Sequence, residues 1–407
     1  MTPVRGLAAI FLPGGVVTLA GLILLRPGFL PDFVQPYVQA YPYVVFGAGA
    51  VLGWYFHRSR IIFALSILAA VSVVLRYVGN GHAAPQGVDR FVFTSLAVLL
   101  PFNLAWCAVF RERGLFTAHG VARFVWIAGQ VLVIDLIVRL AWDSPHEWLE
   151  YAFIDQHWMA WTTLPQTALA AFAVAITFLV VRCVRRRDPI EAAFVWTLVS
   201  VALALHGMGW GWTPRLSLAT AGLVLVWALL ETTYRMAYYD ELTGLPGRRA
   251  LNEALLQLGN RYAVAMVDVD HFKRFNDVFG HEVGDQTLRM VATKLSQMMG
   301  GGKAFRYGGE EFVVLFARAS AAEAVPHLEA ARRAVAASSF ILRGSRRPRK
   351  KPSATKPPTG PRVTVSVTIS IGLAEPDSRK KNPQQVLKAA DKALYRAKSA
   401  GRNRLMV

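Results

Sequence analysis

The sequence predicts an α-helical polytopic membrane domain followed by an α+β domain whose elements run βαββαβ, and three observations carry that reading. Hydrophobic residues make up 54% of the 407 positions and charged residues only 17%, too apolar for an ordinary soluble protein. The apolar excess lies before residue 235, in stretches long enough to cross a hydrocarbon core, which takes about 20 residues of helix. Beyond residue 240 the pattern changes to amphipathic segments alternating with short β-branched runs.

Eight spans are expected, near 7–25, 41–56, 60–78, 91–110, 121–142, 160–184, 190–207 and 214–231, the second being the weakest. Arg58 and Arg60, Arg111 and Arg113, and Arg182, Arg185, Arg186 and Arg187 all follow even-numbered spans, and basic turns mark the cytoplasmic side. The loop after the fifth span instead holds Asp143, Glu147, Glu150 and Asp155 among Trp142, Trp148, Tyr151 and Trp158, as an outer interface does. Both termini are therefore expected in the cytoplasm. The first apolar segment reads as an anchor rather than a cleaved signal. Cys107 and Cys183 fall inside spans as small hydrophobes, and no disulfide is expected. Asp135 and Arg139, four apart, share one face of the fifth span, while His206 and Glu231 stand near the ends of the seventh and eighth. A ligand pocket or proton-sensitive switch and a structural pair that fixes helix packing are both open readings of these groups.

From Leu223 to Asp240 no Pro or Gly interrupts the chain, so the eighth span is expected to continue as a helical connector over 232–242. The expected organisation is thus a membrane domain over 1–231, the connector, and a second domain over 243–407. That domain reads as helix 247–258, strand 262–268, helix 284–299, strand 303–307, turn, strand 311–316, helix 320–337, a basic loop, strand 363–371 and helix 383–399. Val363 to Ile371 alternates apolar and hydroxyl residues, which predicts one face packed inward and one polar face.

The run Arg306-Tyr307-Gly308-Gly309-Glu310-Glu311-Phe312 places two adjacent carboxylates on a tight turn before the apolar strand Val313-Val314-Leu315-Phe316. A Gly-Gly pair permits backbone conformations and a close approach that a Cβ would block. Asp268-Val269-Asp270 ends the earlier apolar run, and two strand ends bearing carboxylates suit a divalent-metal phosphoryl-transfer site. These residues resemble the GGDEF family of diguanylate cyclases in its Gly-Gly-Glu-Glu-Phe variant. The resemblance extends to Asp240-Glu241-Leu242-Thr243-Gly244-Leu245-Pro246, to Asp268 through Asp277, to Phe279-Gly280-His281 with Gly284-Asp285, and to Ala390 through Lys398 with Gly401-Arg402-Asn403.

That resemblance implies a palm-like GGDEF domain that joins two GTP into cyclic di-GMP and two pyrophosphates, acting as a homodimer at a bacterial inner membrane. It implies that Asp268, the carbonyl of Val269 and Glu310 hold two Mg2+ or Mn2+ ions per site, with Glu311 completing the acidic set beside Gly308 and Gly309. Glu310 and Lys273 would be catalytic, the latter stabilising transition-state charge. Asn276 and Asp285 would read guanine, His281 would border base or ribose, and Lys398 and Arg402 would hold the outer phosphates. Asp270, His271 and Asp277 are read as structural. Where product-inhibited members carry Arg-x-x-Asp, this chain has Met299-Gly300-Gly301-Gly302, so the usual inhibitory site is expected to be missing.

Formal net charge is +19, and 29 of the 45 Lys and Arg follow Arg235. Eight basic residues and no acid lie in 343–362, read first as a solvated loop and second as a contact for anionic membrane lipids. No nucleic-acid fold motif accompanies the charge, and nucleic acid is not an expected partner. The membrane-domain ligand or partner is unassigned. A module that kept the fold but lost catalysis, a cyclase of altered base preference, and a transporter with a regulatory tail are the competing classes.

Overall fold

The computed structural model describes residues 7–26, 28–78, 87–140, 151–159, 161–207, 214–341, 364–377 and 382–407. They form two compact units, one ending at Thr233 and one beginning at Tyr234. The basic loop at 343–362 and the acidic cluster Asp143–Glu150 lie outside the described residues.

The first unit is built of helices α1 (Leu7–Leu24), α2 (Gln35–Tyr55), α3 (Ser59–Tyr77), α4 (Gly87–Val109), α5 (Ala118–Leu140), α6 (Gln166–Arg186), α7 (Pro189–His206) and α8 (Pro214–Tyr238) as far as Thr233. Among the described residues, seven of these are long and apolar enough to cross a membrane, and α2 is the exception. Its first half carries Gln35, Gln39, Tyr37, Tyr41, Pro42 and Tyr43, which dilute an otherwise apolar helix. Phe63, Leu68, Leu100, Leu104, Leu179, Phe194, Leu198, Leu225 and Leu229 form the core of this unit. Polar side chains pair across helices, Thr18 with Ser200 and Asn103 with Gln130, and Arg60 of α3 pairs with Glu112 in the connection between α4 and α5. Asp135 and Arg139 do pair, at 2.9 Å on an exposed face of α5. Cys107 and Cys183 are buried and free.

The second unit is a five-stranded sheet ordered β2-β3-β1-β6-β7, from β1 (Ala263–Val269), β2 (Lys303–Gly308), β3 (Glu311–Phe316), β6 (Ile369–Ala374) and β7 (Leu405–Met406); β4 (Ser339–Ile341) and β5 (Thr364–Ser366) form a separate pair. The pairings are antiparallel except β6 with β7. Side-chain alternation sends Ala265, Val267, Val269, Val314 and Ile371 to one face, under α10 (Phe272–Phe279), α11 (His281–Ser296) and α12 (Ala321–Ala336). Val264, Met266, Val313 and Leu315 go to the other, under α9 (Arg248–Leu256) and α13 (Pro383–Ser399). The result is a three-layer α+β domain, which is why β1 is buried along its whole length.

Three expectations need correction. The helix expected over 284–299 is α11, and before it stands one more: Phe272, Phe275 and Phe279 fall at helical spacing and pack as α10, separated from α11 by Gly280 at φ 84°. The strand expected over 363–371 is two, β5 and β6, breaking at Val367 and Thr368. Of its hydroxyl residues Ser366 is exposed, whereas Thr368 and Ser370 donate hydrogen bonds of 2.6 and 2.7 Å to Asp270. Finally, neither Gly308 nor Gly309 is in the left-handed region, so the pair is not demanded by backbone conformation. A Cβ on Gly309 would meet nothing within 4 Å, which leaves open room beside the turn as the reason for glycine.

Candidate active site

The β2–β3 hairpin turns through Gly309 and Glu310, and its register sets Glu311 directly across from Asp268 on β1. Arg306 locks that turn. Its guanidinium donates to Gly309 O at 2.7 Å and to Asp240 Oδ1 at 2.7 Å, joining the Asp240–Pro246 segment to the hairpin. Asp240 also accepts from the amide and hydroxyl of Thr243. Burial alone would raise Asp240, but the bonds from Thr243 and Arg306 outweigh it, and its pKa is lowered.

On the opposite side, α13 approaches β6 so closely that a Cβ on Gly372 would lie 2.0 Å from Leu394 N and 2.1 Å from Ala390 O. Only glycine admits this packing, and it brings Lys398 onto β1: its ammonium lies 2.8 Å from Asp268 Oδ1. Asp268, Glu310, Lys273, Lys398 and Arg402 line one cleft of about 370 Å³. Burial is the main cause that raises the pKa of Asp268, offset in part by Lys398 and added to by Asp270. Burial and then the Asp268 charge raise Glu310. Two carboxylates held together in this way favour a cation between them.

His271, Arg274 and Asp277 line the same cleft. Two of these were read as structural from the sequence and Arg274 carried no signal. Asp270, by contrast, faces the strand hydroxyls rather than the cleft, as a structural residue does. Glu311, Gly308, Gly309, Asn276, His281 and Asp285 are not among the cleft-lining residues. Asn276 packs against Gly284, where a Cβ would sit 1.9 Å from Asn276 Oδ1, and that oxygen is buried with no hydrogen-bond partner among the described residues. His281 and Asp285 are exposed on the first turns of α11. Among the described residues no three His, Cys, Asp or Glu side chains converge as a metal cluster, so any ion here would rest on fewer side chains plus backbone or ligand oxygens.

Residues 237–404 match the family model for the diguanylate cyclase GGDEF domain. Over 186 residues the chain is 38% identical to the diguanylate cyclase DgcP of Pseudomonas aeruginosa, covering 44% of this chain and 25% of that protein. It is 33% identical over 196 residues to the diguanylate cyclase VdcA of Vibrio cholerae, covering 47% and 53%. The crystal structure of the coiled coil and GGDEF domain of DgcB from Caulobacter crescentus, in complex with c-di-GMP, is 32% identical, with 44% of this chain and 88% of that one covered at a TM-score of 0.37. The chain thus spans between a quarter and about half of the length of these curated relatives. Matching the family model and carrying the Asp240–Pro246 segment and the Gly-Gly-Glu-Glu-Phe hairpin, residues 237–404 of this chain are a GGDEF domain.

Proposed function

We propose that the chain is a diguanylate cyclase that condenses two GTP into cyclic di-GMP and two pyrophosphates, anchored in a membrane by its helical unit. The observation that carries this reading is the cleft itself. Two carboxylates with raised pKa values, Asp268 and Glu310, stand within reach of the cations Lys398, Arg402 and Lys273. That division of charge suits a triphosphate whose inner phosphate is attacked and whose outer phosphates depart.

The site fits a divalent cation, because an ammonium already lies on Asp268 and the donors are hard oxygens. Asp268, the Val269 carbonyl and Glu310 would hold Mg2+ or Mn2+, which supplies neutralisation of phosphate charge and acidifies the attacking 3′-hydroxyl. Glu310 accepts that proton, its raised pKa bringing it nearer the working pH. Lys398, released from Asp268, and Arg402 bind the outer phosphates, and Lys273 meets charge that develops during transfer. Asp285 and Asn276 take the guanine edge, a carboxylate being matched to the N1 and N2 protons. Each domain offers one such cleft, whereas the product needs two GTP face to face, so the acting unit is a homodimer. Seven helices long and apolar enough to cross a membrane support an inner-membrane anchor, and α8, unbroken from Pro214 to Tyr238, is our proposed route for regulation by the helical unit.

Incubating the purified full chain with GTP and Mg2+ should yield cyclic di-GMP by mass spectrometry. Bound GTP without product would favour the catalytically silent module, and neither binding nor product would remove the reading.

A further inference from the structure

Arg402 lines the cleft from a backbone that needs support. It and Asn403 are consecutive non-glycine residues in the left-handed region, at φ 60° and 45°, following Gly401 at φ 108°. Side chains rarely adopt that conformation once, and two in succession persist only where neighbours fix them. The neighbours are specific. Asn403 N donates to Asp270 Oδ2 at 3.1 Å, and Asp270 is 6% exposed and held by Thr368 and Ser370. The Asn403 carbonyl and side-chain oxygen both accept from Arg332 Nη1, at 3.0 and 2.7 Å. Arg332 in turn is clamped by Glu329 one turn earlier on α12, with bonds of 2.8 to 3.2 Å. On either side, Arg402 N donates to Ala397 O and Arg404 O accepts from Ile371 N, tying the loop to α13 and β6.

Resting on the cyclase reading of the cleft, we propose that Arg332 and Asp270 are positioning residues for triphosphate recognition, holding Arg402 in its left-handed conformation through Asn403. Arg332 lies on α12, outside the cleft, and touches no residue assigned to substrate. Its two bonds fix both oxygens of Asn403 at once, which a lysine point charge does less well than the planar guanidinium. The chemical feature they serve is the β,γ-phosphate pair, not the base.

The test is equilibrium binding by the full chain in nanodiscs of 3′-deoxy-GTP, which lacks the attacking hydroxyl, and of GMP, which lacks the outer phosphates. Arg332→Ala should weaken 3′-deoxy-GTP about tenfold, the scale of a charge-assisted bond, and leave GMP unchanged. Arg332→Lys should recover part of the loss. In an Arg402→Ala background Arg332→Ala should cause no further loss, because it acts only through Arg402. Asn403→Ala, which leaves α12 intact, should give the same pattern and decides the matter if Arg332→Ala does not fold. Unchanged 3′-deoxy-GTP affinity, an equal loss for GMP, or losses that multiply with Arg402→Ala would each overturn the proposal. A wild-type chain that binds neither nucleotide would overturn the cleft reading along with it, whereas Arg402-dependent binding insensitive to Arg332 and Asn403 overturns the positioning role alone.

Discussion

Glu191 and Asp268 are both nearly fully buried carboxylates, but their surroundings are opposite. Glu191, on α7, is 1% exposed and has Arg182 at 2.6 Å and Arg186 at 3.7 Å. Two cations serve one anion. Asp268 has one cation in contact, Lys398, with Arg402 acting from farther off, and two carboxylates, Asp270 and Glu310, crowd the same place. A buried charge that is matched holds helices together, while charges of one sign left crowded store an affinity for something that is not yet there. Asp270 shows how local this distinction is. Two residues from Asp268, it is satisfied by two hydroxyls and an amide and belongs with Glu191.

The largest effect that would test the contrast is on catalysis. Glu310→Gln or Asp268→Asn should lower cyclic di-GMP synthesis by about 10³-fold or more, the scale of a lost metal ligand. Because their pKa values are raised, folding favours the neutral forms, so neither change should lower the melting temperature. A variant with more than a tenth of wild-type activity would break the assignment.

Glu191→Ala should do the reverse. Leaving Arg182, 17% exposed, without its partner should cost about 2 to 3 kcal/mol, less than for a fully buried pair, read as a lower melting temperature in detergent. Among the described residues the Arg182 Nε and Glu191 Oε2 atoms have no hydrogen-bond partner. An unchanged melting temperature would mean that the pair is dispensable for packing.

Base choice is expected to shift less. Asp285→Ser should relax the preference for GTP over ATP by about tenfold, since a hydroxyl can meet either purine edge. Competition with mixed nucleotides reads this directly, and an unchanged product ratio would place guanine recognition elsewhere, for instance at Asn276 alone.

The sheet and its covering helices were legible because their signals are local: periodicity for α9, α12 and α13, and β-branched runs for β1 and β3. The acidic clusters were legible because the motif residues are contiguous. What escaped depends on residues far apart in sequence. Nothing near Gly372 says that Leu394 will press against it, nothing in α12 marks Arg332 as the neighbour of Asn403 71 residues on, and the Thr368–Asp270 bond spans 98 residues. α10 escaped for another reason: eight residues dense with polar groups look like motif before they look like helix.

The smallest effect concerns the Asp240–Arg306 pair, which sits between the two cases in the opening comparison, matched yet attached to the Gly309 carbonyl of the hairpin. Asp240 is 24% exposed, so its removal should cost about 1 kcal/mol, below the range of fully buried charge-assisted bonds. Its folded pKa is lowered, so its contribution is complete above the ordinary aspartate range near about 4 and disappears as pH falls through the lower folded value. Hydrogen exchange of residues 239–247 in the full chain, compared between wild type and Asp240→Asn at matched pH, should show wild-type protection a few-fold higher at neutral pH. The two should converge as the solution is acidified below pH about 4. A protection gap that persists at low pH would show that Asp240 holds the turn by something other than its charge.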